Sequence, residues 1–186
     1  MLQFFCIFII IFITNLQHLK YQTRKDEIIQ TSAILFQKKG YSAVTMRDIA
    51  KTMGIKAASL YNHINSKQEI LSDIIISLAE QFTEQMKIIK DSNISGIDKL
   101  KKIVVLHVDI TSNNQFGMAS LNSDWMHLEA ELKHYLGLRR NYENDFRSII
   151  EKGINDDEFV NGNSEVMLFS MLSTLRSLYL WLPKKE

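Results

Sequence analysis

Helix breakers are scarce: the 186-residue chain has one proline, Pro183, and seven glycines. In a helix interior a proline costs about 3 kcal/mol and a glycine about 1 kcal/mol relative to alanine. A chain this poor in both is expected to be all-α. Cysteine is rarer still. Cys6 stands alone, so no internal disulfide and no cysteine-rich zinc site can form. The five histidines are scattered, with no HExxH and no close pair, and no metal site is read from them. No nucleophile–base pair, carboxylate cluster or phosphate-cradling glycine loop has recognisable spacing, so neither a catalytic site nor a cofactor is expected. A membrane-length run is missing too. Phe4 to Ile13 is an unbroken apolar stretch of ten residues, ended by Thr14, Asn15 and Gln17, where a span needs about 20. No Lys or Arg precedes Lys20 and no A-x-A-like site follows, which disfavours a signal peptide. A cytoplasmic protein without stable membrane insertion is expected. Residues 1–19 are set apart as an atypical extension. Its apolar part, 1–13, is either an extra helix buried against the body or a partner, or an extension from a start codon placed too far upstream.

The composition that remains is that of a folded protein, with 46% apolar and 23% charged residues. The net charge of +1 hides an asymmetry. Between His18 and Gln68 nine Lys/Arg face three Asp/Glu; from Glu69 onward thirteen face eighteen. A basic head can sit on phosphates while an acidic body stays off them.

Apolar periodicity and caps divide the chain into helices. The first is expected from Tyr21 to Lys39, with Gly40 as a left-handed stop. Thr45 and Asp48 make a T-x-x-D cap for a second helix, Met46 to Met53. Gly54 turns the chain into a third, Lys56 to Asn62. Ser66 and Glu69 cap a fourth that runs to Ile89 or Lys90. Asp91–Gly96 reads as a loop, Ile97–Thr111 as an amphipathic helix, and Ser112–Gly117 as either a loop or a helix break. Trp125–Lys152 reads as one long helix, with a possible interruption at Gly137. Gly153–Asn163 is a polar turn region, and Ser164–Trp181 a last helix that is apolar on more than one face. Such a helix is expected to be covered on several sides, for example in a helix pair between subunits.

The segment TMRDIAKTMGIKAASLYNHINSK, residues 45–67, has the parts of a helix-turn-helix: a bracing helix, a tight turn, and a second helix of small and polar residues for a DNA groove. Thr45, Arg47, Tyr61, His63 and Lys67 are expected on phosphates. Lys56, Ala57, Ser59 and, less directly, Asn62 are candidates for base edges. Competing structural roles stay open: Tyr61 in the core with its hydroxyl on the backbone, Arg47 paired with a carboxylate, Lys56 as a solvated charge.

AILFQKKGYSAVTMRDIA at 33–50, MGI at 53–55, SLYNHI at 59–64 and NSKQEIL at 65–71 resemble the TetR-type transcriptional regulators. The resemblance implies three N-terminal helices on operator DNA, a fourth helix linking them to a helical ligand-binding and dimerising domain, and a homodimer on a palindromic operator. Such proteins are usually repressors, released by a small molecule. It places Thr45 and Arg47 at the start of the bracing helix, Tyr61 at the tyrosine of the recognition helix, and Lys67 at the lysine that opens the fourth helix and commonly meets phosphate. Lys56 departs from the pattern, where a small capping residue is usual, and so does Ile64, where phenylalanine is usual. The implied domains are 20–68 for DNA and 69–186 for effector and dimer.

Beyond Leu71 the stretch 124–159 resembles a subgroup that includes sensors of fatty acyl-CoA or related lipid-like effectors, and 175–183 resembles that subgroup's last dimer-forming region. Such proteins often continue with a further helix, so the interface is either shortened or the sequence incomplete. An effector cavity needs apolar lining with a few polar ends. Met118, Leu121, Trp125, Met126, Leu128, Phe146 and Phe169 are candidates for the lining, and His107, His127, His134 and Arg176 for polar markers. Simple core packing competes for each. The alternative to a regulator is a helical adaptor or scaffold that has lost specific DNA binding.

Overall fold

The structure, a computed structural model, describes residues 23–182. The apolar stretch 1–13 and the expected helix start at Tyr21 lie outside them. Among the described residues every regular element is helical, and no helix is long and apolar enough to cross a membrane. Helices α1 (Arg24–Lys39), α2 (Met46–Thr52) and α3 (Ala57–Leu60) form an N-terminal group. Helix α4 (Lys67–Asp91) leads away from it into a bundle of α5 (Gly96–Asn113), α6 (Gln115–Ser123), α7 (Leu132–Asn155), α8 (Ser164–Arg176) and the short α9 (Leu178–Trp181). This is the helix-turn-helix followed by a helical bundle that the sequence implies.

Helix starts follow local chemistry. Thr23 and Asp26 form a complete capping box at the start of α1, Arg24. Thr45 and Asp48 form a second one for α2, each worth about 1 kcal/mol. The Ser66 hydroxyl accepts the Glu69 N–H at 3.0 Å, opening α4. Gly40 stops α1 with φ 81°, but its ψ of 144° extends the chain instead of placing it in the left-handed helical basin. Gly54, at φ 67°, makes the α2–α3 turn at a backbone angle that costs other residues strain.

One continuous core runs through both groups. Ile28, Phe36, Ile49, Leu60 and Ile64 are buried together with Ile70 and Leu71 of α4, and the same cluster continues through Met86, Ile103, Met118, Phe146 and Leu168. The 3-10 turn Tyr41–Ala43 is tied to the start of α4 by Lys67. Its ammonium donates to the carbonyls of Tyr41 and Val44, both at 2.9 Å, and sits 4.1 Å from the Tyr41 ring centroid. In the bundle, His107 of α5 is 4% exposed and its Nε2 lies 2.6 Å from the Tyr142 hydroxyl of α7.

Three expectations are corrected. Helix α3 is a single turn: Lys56 is its extended N-cap residue, without a side-chain cap, and Tyr61–His63 leave the helix. The 112–117 stretch is the helix break expected there, one residue wide at Asn114, after which Gln115, Phe116 and Gly117 belong to the separate helix α6. The long helix from Trp125 does not exist. Trp125–His127 is a 3-10 turn, and buried Leu128 takes an extended backbone that ends it. Helix α7 then starts at Leu132 and passes Gly137 without interruption, because buried Tyr135, Tyr142 and Phe146 anchor it on both sides of that weak point. The last helix is divided at Ser177 into α8 and α9.

Two outcomes follow from these contacts. Lys67→Met removes both carbonyl ties and is expected to lower stability by about 1–2 kcal/mol; an unchanged urea midpoint would show that the ties do not form in solution. For His107, burial and then the charge of Arg176 push the imidazole from its ordinary 6.5 down to about 3. Between those values the unfolded chain takes up a proton that the folded chain refuses, so stability falls as pH falls through that window. From pH 7.5 to 4.5 the wild type should lose about 2–3 kcal/mol more than His107→Gln, at about 1.4 kcal/mol per unit. Equal losses in urea titrations would mean the imidazole is not held neutral.

Candidate DNA interface and ligand cleft

The α2–α3 pair presents a polar outer face. Thr45, Arg47, Lys51, Lys56, Ala58, Tyr61, Asn62 and His63 are exposed, while Leu60 and Ile64 point inward and lock α3 to the core. Arg47, Lys51 and Lys56 have no carboxylate within ion-pair distance among the described residues. Tyr61 is 54% exposed. The competing roles for Arg47 and Tyr61, an internal ion pair and a core site, are therefore not taken up. The Thr45 hydroxyl is engaged in its cap: it donates to the Asp48 carboxylate at 2.6 Å and accepts the Asp48 N–H at 3.2 Å. The hydroxyl donation, with a second bond from the Thr45 N–H at 2.9 Å, holds the Asp48 carboxyl below its usual range.

Three candidates sit differently from expectation. Ala57 packs against the core, and Ser59 is half-buried, so the small side chain turned outward is that of Ala58. With α3 only one turn long, Tyr61, Asn62 and His63 reach the surface from the turn that follows it. Lys67 is half-buried and directed at backbone carbonyls; burial lowers its pKa. It lies behind the exposed face instead of on it.

A second candidate site lies inside the bundle. Helices α4, α5, α6, α7 and α8 enclose a cleft of ≈ 70 Å³ lined by Ala79, Phe82, Thr83, His107, Met118, Leu121, Asn122, Tyr135, Arg139, Tyr142 and Arg176. Of the expected lining, His107, Met118, Leu121 and Arg176 are there. The other seven stand elsewhere. Trp125 packs behind the wall, its ring 5.9 Å from that of Tyr135 and 5.7 Å from the Arg139 guanidinium. Met126 is 64% exposed, Phe146 is fully buried core, and Phe169 lies on the outer face of α8. Leu128 is buried core outside the cleft. His134 faces Glu80 on the surface at 3.4 Å. His127 stacks on Tyr41, with ring centroids 5.2 Å apart.

The wall residues that sequence reasoning missed had a periodic signal. Tyr135, Arg139 and Tyr142 are spaced by four and three, and Phe82 and Thr83 follow Ala79 by three and four residues, so each set lies on one helix face. At the cleft, Arg139 Nε and Arg176 Nη2 both donate to Glu143 Oε1, at 3.0 and 2.8 Å. Burial raises the Glu143 pKa, but these two bonds outweigh it and hold the carboxyl below its usual range. Burial pushes the Tyr142 hydroxyl well above its ordinary value, so it stays protonated.

Two structural links join this cleft to the N-terminal helices besides α4 itself. Helix α6 supplies Met118, Leu121 and Asn122 to the cleft and packs against α1. The Trp125–His127 turn touches the cleft wall through Trp125 and the Tyr41 ring through His127. The Gln68 side-chain amide also donates to the His127 carbonyl at 2.8 Å.

Comparison with known proteins places both parts in one family. Residues 28–74 match the model described as bacterial regulatory proteins, tetR family, and residues 93–185 match the tetracyclin repressor-like C-terminal domain. The HTH-type transcriptional repressor KstR2 of Rhodococcus jostii (strain RHA1) is 26% identical over 138 residues, 73% of this chain and 68% of that protein. The biofilm operon icaADBC HTH-type negative transcriptional regulator IcaR of Staphylococcus epidermidis is 34% identical over 113 residues, 60% of each chain. The matched stretch thus spans less than two thirds of IcaR. The solved structure of the ketosteroid transcriptional regulator KstR2 of Mycobacterium tuberculosis superposes with a TM-score of 0.80 at 18% identity, over 87% of this chain and 84% of that one, a likeness of fold. With half its length matched by the C-terminal model and the helix-turn-helix matched by the N-terminal one, the chain belongs to the TetR family of bacterial transcriptional regulators.

Proposed function

We propose that this chain is a homodimeric, sequence-specific repressor that binds a palindromic operator in the cytoplasm and is released by a small effector. In this reading residues 20–68 bind DNA, and residues 69–186 bind the effector and pair the subunits. The observation that carries it is the α2–α3 face, where Arg47, Lys56, Tyr61 and His63 stand exposed and without internal ion pairs on a helix pair fixed by caps and core. Arg47, Tyr61 and His63 contact phosphates, with Thr45 holding the start of α2 through its cap, and Lys56 and Ala58 face the bases from the start of α3. Ala57 and Lys67 support that face from behind. Lys67 does so by fixing the Tyr41 turn against α4.

Pairing is assigned to the outer face of α8 and α9. Val166, Phe169, Leu180 and Trp181 are large apolar side chains left exposed there, with Ser170 and Ser173 between them allowing a second helix close approach. A dimer is also what a palindrome requires, since two recognition helices must meet successive major grooves about 34–36 Å apart.

The effector is small and apolar or amphipathic. An acyl-CoA-like molecule is suggested by the resemblance of the 124–159 stretch, yet ligand pockets commonly enclose about 300–1,000 Å³, well above the ≈ 70 Å³ of this cleft. A ligand of that bulk enters only if α6 or the Trp125–His127 turn moves away. Because both elements touch the N-terminal helices, such movement would alter the spacing of the two DNA-binding faces. It needs to favour the mismatched spacing by only a few kcal/mol.

Selection from randomised duplex DNA, with and without residues 1–13, tests the reading. An enriched inverted repeat is expected; a folded, dimeric sample that enriches nothing would favour the adaptor alternative. On the recovered site, Arg47→Ala should weaken binding and reduce the slope of log K against log salt by about one, and an unchanged slope would remove Arg47 from the phosphates. Phe169→Asp with Leu180→Asp should yield monomers in sedimentation while preserving helix content. A persistent dimer would place the interface elsewhere.

A further inference from the structure

The cleft carries two sets of hydrogen-bond donors without a protein acceptor, on residues that border the space assigned above to an effector. The first is at its charged rim. Arg139 and Arg176 line the cleft and share a single carboxylate oxygen of Glu143. Two guanidinium groups, with five N–H donors each, answer to one carboxylate, so one positive charge and several donors are left over. The second is in the interior. His107 is 4% exposed and lines the cleft, and its Nδ1 has no partner among the described residues. Neutral His107 and Tyr142 carry two exchangeable protons between them. One occupies the 2.6 Å contact between Nε2 and the hydroxyl. If Tyr142 donates there, the other proton is on Nδ1; if His107 donates, it is on the outer side of the hydroxyl. Either tautomer leaves one donor of this pair without an acceptor. A buried polar group in that condition bears its full desolvation cost until something accepts from it.

The rest of the wall is mostly apolar, with Ala79, Phe82, Met118 and Leu121 beside the polar side chains of Thr83, Asn122 and Tyr135, and the space is small. Resting on the reading of this cleft as the effector site, we infer that its ligand is a short-chain monocarboxylate. The carboxylate is held by Arg139 and Arg176 and accepts the spare proton of the His107–Tyr142 pair, and the carbon chain lies against Phe82 and Met118. A single charge matches the one left uncompensated by Glu143. A dicarboxylate would bring one charge too many into an apolar wall, and an uncharged amide or alcohol would leave the excess positive charge unmatched.

Calorimetric titration of the full chain with hexanoate, hexanamide and hexan-1-ol decides this. Hexanoate should bind at least about tenfold more tightly than either neutral analogue, the scale of a charge-assisted hydrogen bond. Arg176→Gln should erase that preference, and Tyr142→Phe should weaken hexanoate by about tenfold. Glu143 keeps Arg139 in the first variant and the ring stays packed in the second, so unliganded thermal unfolding should remain cooperative in both. Equal affinity for all three probes overturns the inference. So does absence of binding across butyrate, hexanoate and octanoate, or full competition of hexanoate by inorganic sulfate at equal concentration. Release of the selected operator by hexanoate is measured alongside. A protein that binds its operator but ignores all carboxylates refutes the ligand class and leaves the regulator reading intact. One that prefers hexanoate yet selects no DNA motif keeps the carboxylate site and refutes the regulator reading.

Discussion

Everything in this molecule is referred to one helix. Helix α4 is 25 residues long, which at 1.5 Å per residue is about 37 Å. Its first turn belongs to the N-terminal helices: Lys67 fixes the Tyr41 turn, and Glu69 and Asp73 hold Lys25 of α1 at 3.1 and 2.8 Å. Three turns further on, Ala79, Phe82 and Thr83 form one wall of the cleft. Near its far end Lys90 pairs with Asp145 of α7 at 2.7 Å. Ile70, Leu71, Ile74, Ile75, Leu78, Phe82 and Met86 bury one side along most of this length, so the helix cannot bend without disturbing the core that it carries through both groups. A rigid rod with a cavity against its middle and a surface group on its end converts a small sideways shift into a larger one at the tip.

A rod alone would swing freely only if nothing else joined the two parts. Helix α6 and the Trp125–His127 turn form further joints. Gly117 lets α6 approach α4 so closely that an added Cβ would stand 3.1 Å from Leu78. The turn has one aromatic ring on the cleft wall and another on Tyr41, only two residues apart. In the proposed regulator these joints set the sign of the response. A ligand that fits behind them without displacement would stiffen the existing spacing, whereas one that pushes α6 or Trp125 outward would change it. Only a ligand that interacts differently with the two arrangements shifts their balance.

How much of this was legible in the sequence depended on the range of the interaction. The capping pairs Thr45–Asp48 and Ser66–Glu69 lie three residues apart and were readable, and with them the starts of α2 and α4. The exposed positions of Arg47, Lys56 and Tyr61 followed from the same local frame. The break at Asn114 was visible only as a polar run. Nothing local signalled that Trp125–His127 would be a separate turn, because the burial of Leu128 that ends it is a tertiary event. The cleft was half legible. His107, Met118, Leu121 and Arg176 were recognisable as polar or apolar candidates, but Phe146 and Phe169 have the same chemistry and went to the core and to the outer surface. Which face a helix residue occupies is periodic; which neighbour covers that face is not encoded within the helix.

Charge shows the same limit and sharpens the view of the DNA-facing surface. The excess of Lys and Arg between residues 18 and 68 overstates what a phosphate backbone would meet. Lys25 is committed to Glu69 and Asp73, Arg24 to Glu27, and Lys67 to two carbonyls. Arg47, Lys51 and Lys56 remain on α2 and at the start of α3, and Lys38 and Lys39 are exposed at the end of α1. Lys25 and Lys67 are committed at the junction with α4, while Arg47, Lys51 and Lys56 keep their charges on the α2–α3 face, so pairing concentrates there the positive potential that the composition spreads over the head. An ammonium turned inward, as in Lys67, makes no phosphate contact of its own, but it holds the Tyr41 turn from which α2 departs. Its loss would be felt as a displaced α2–α3 face, with weakened affinity and an almost unchanged salt dependence. Loss of Arg47 would lower both, because counterion release counts only the charges that meet phosphate.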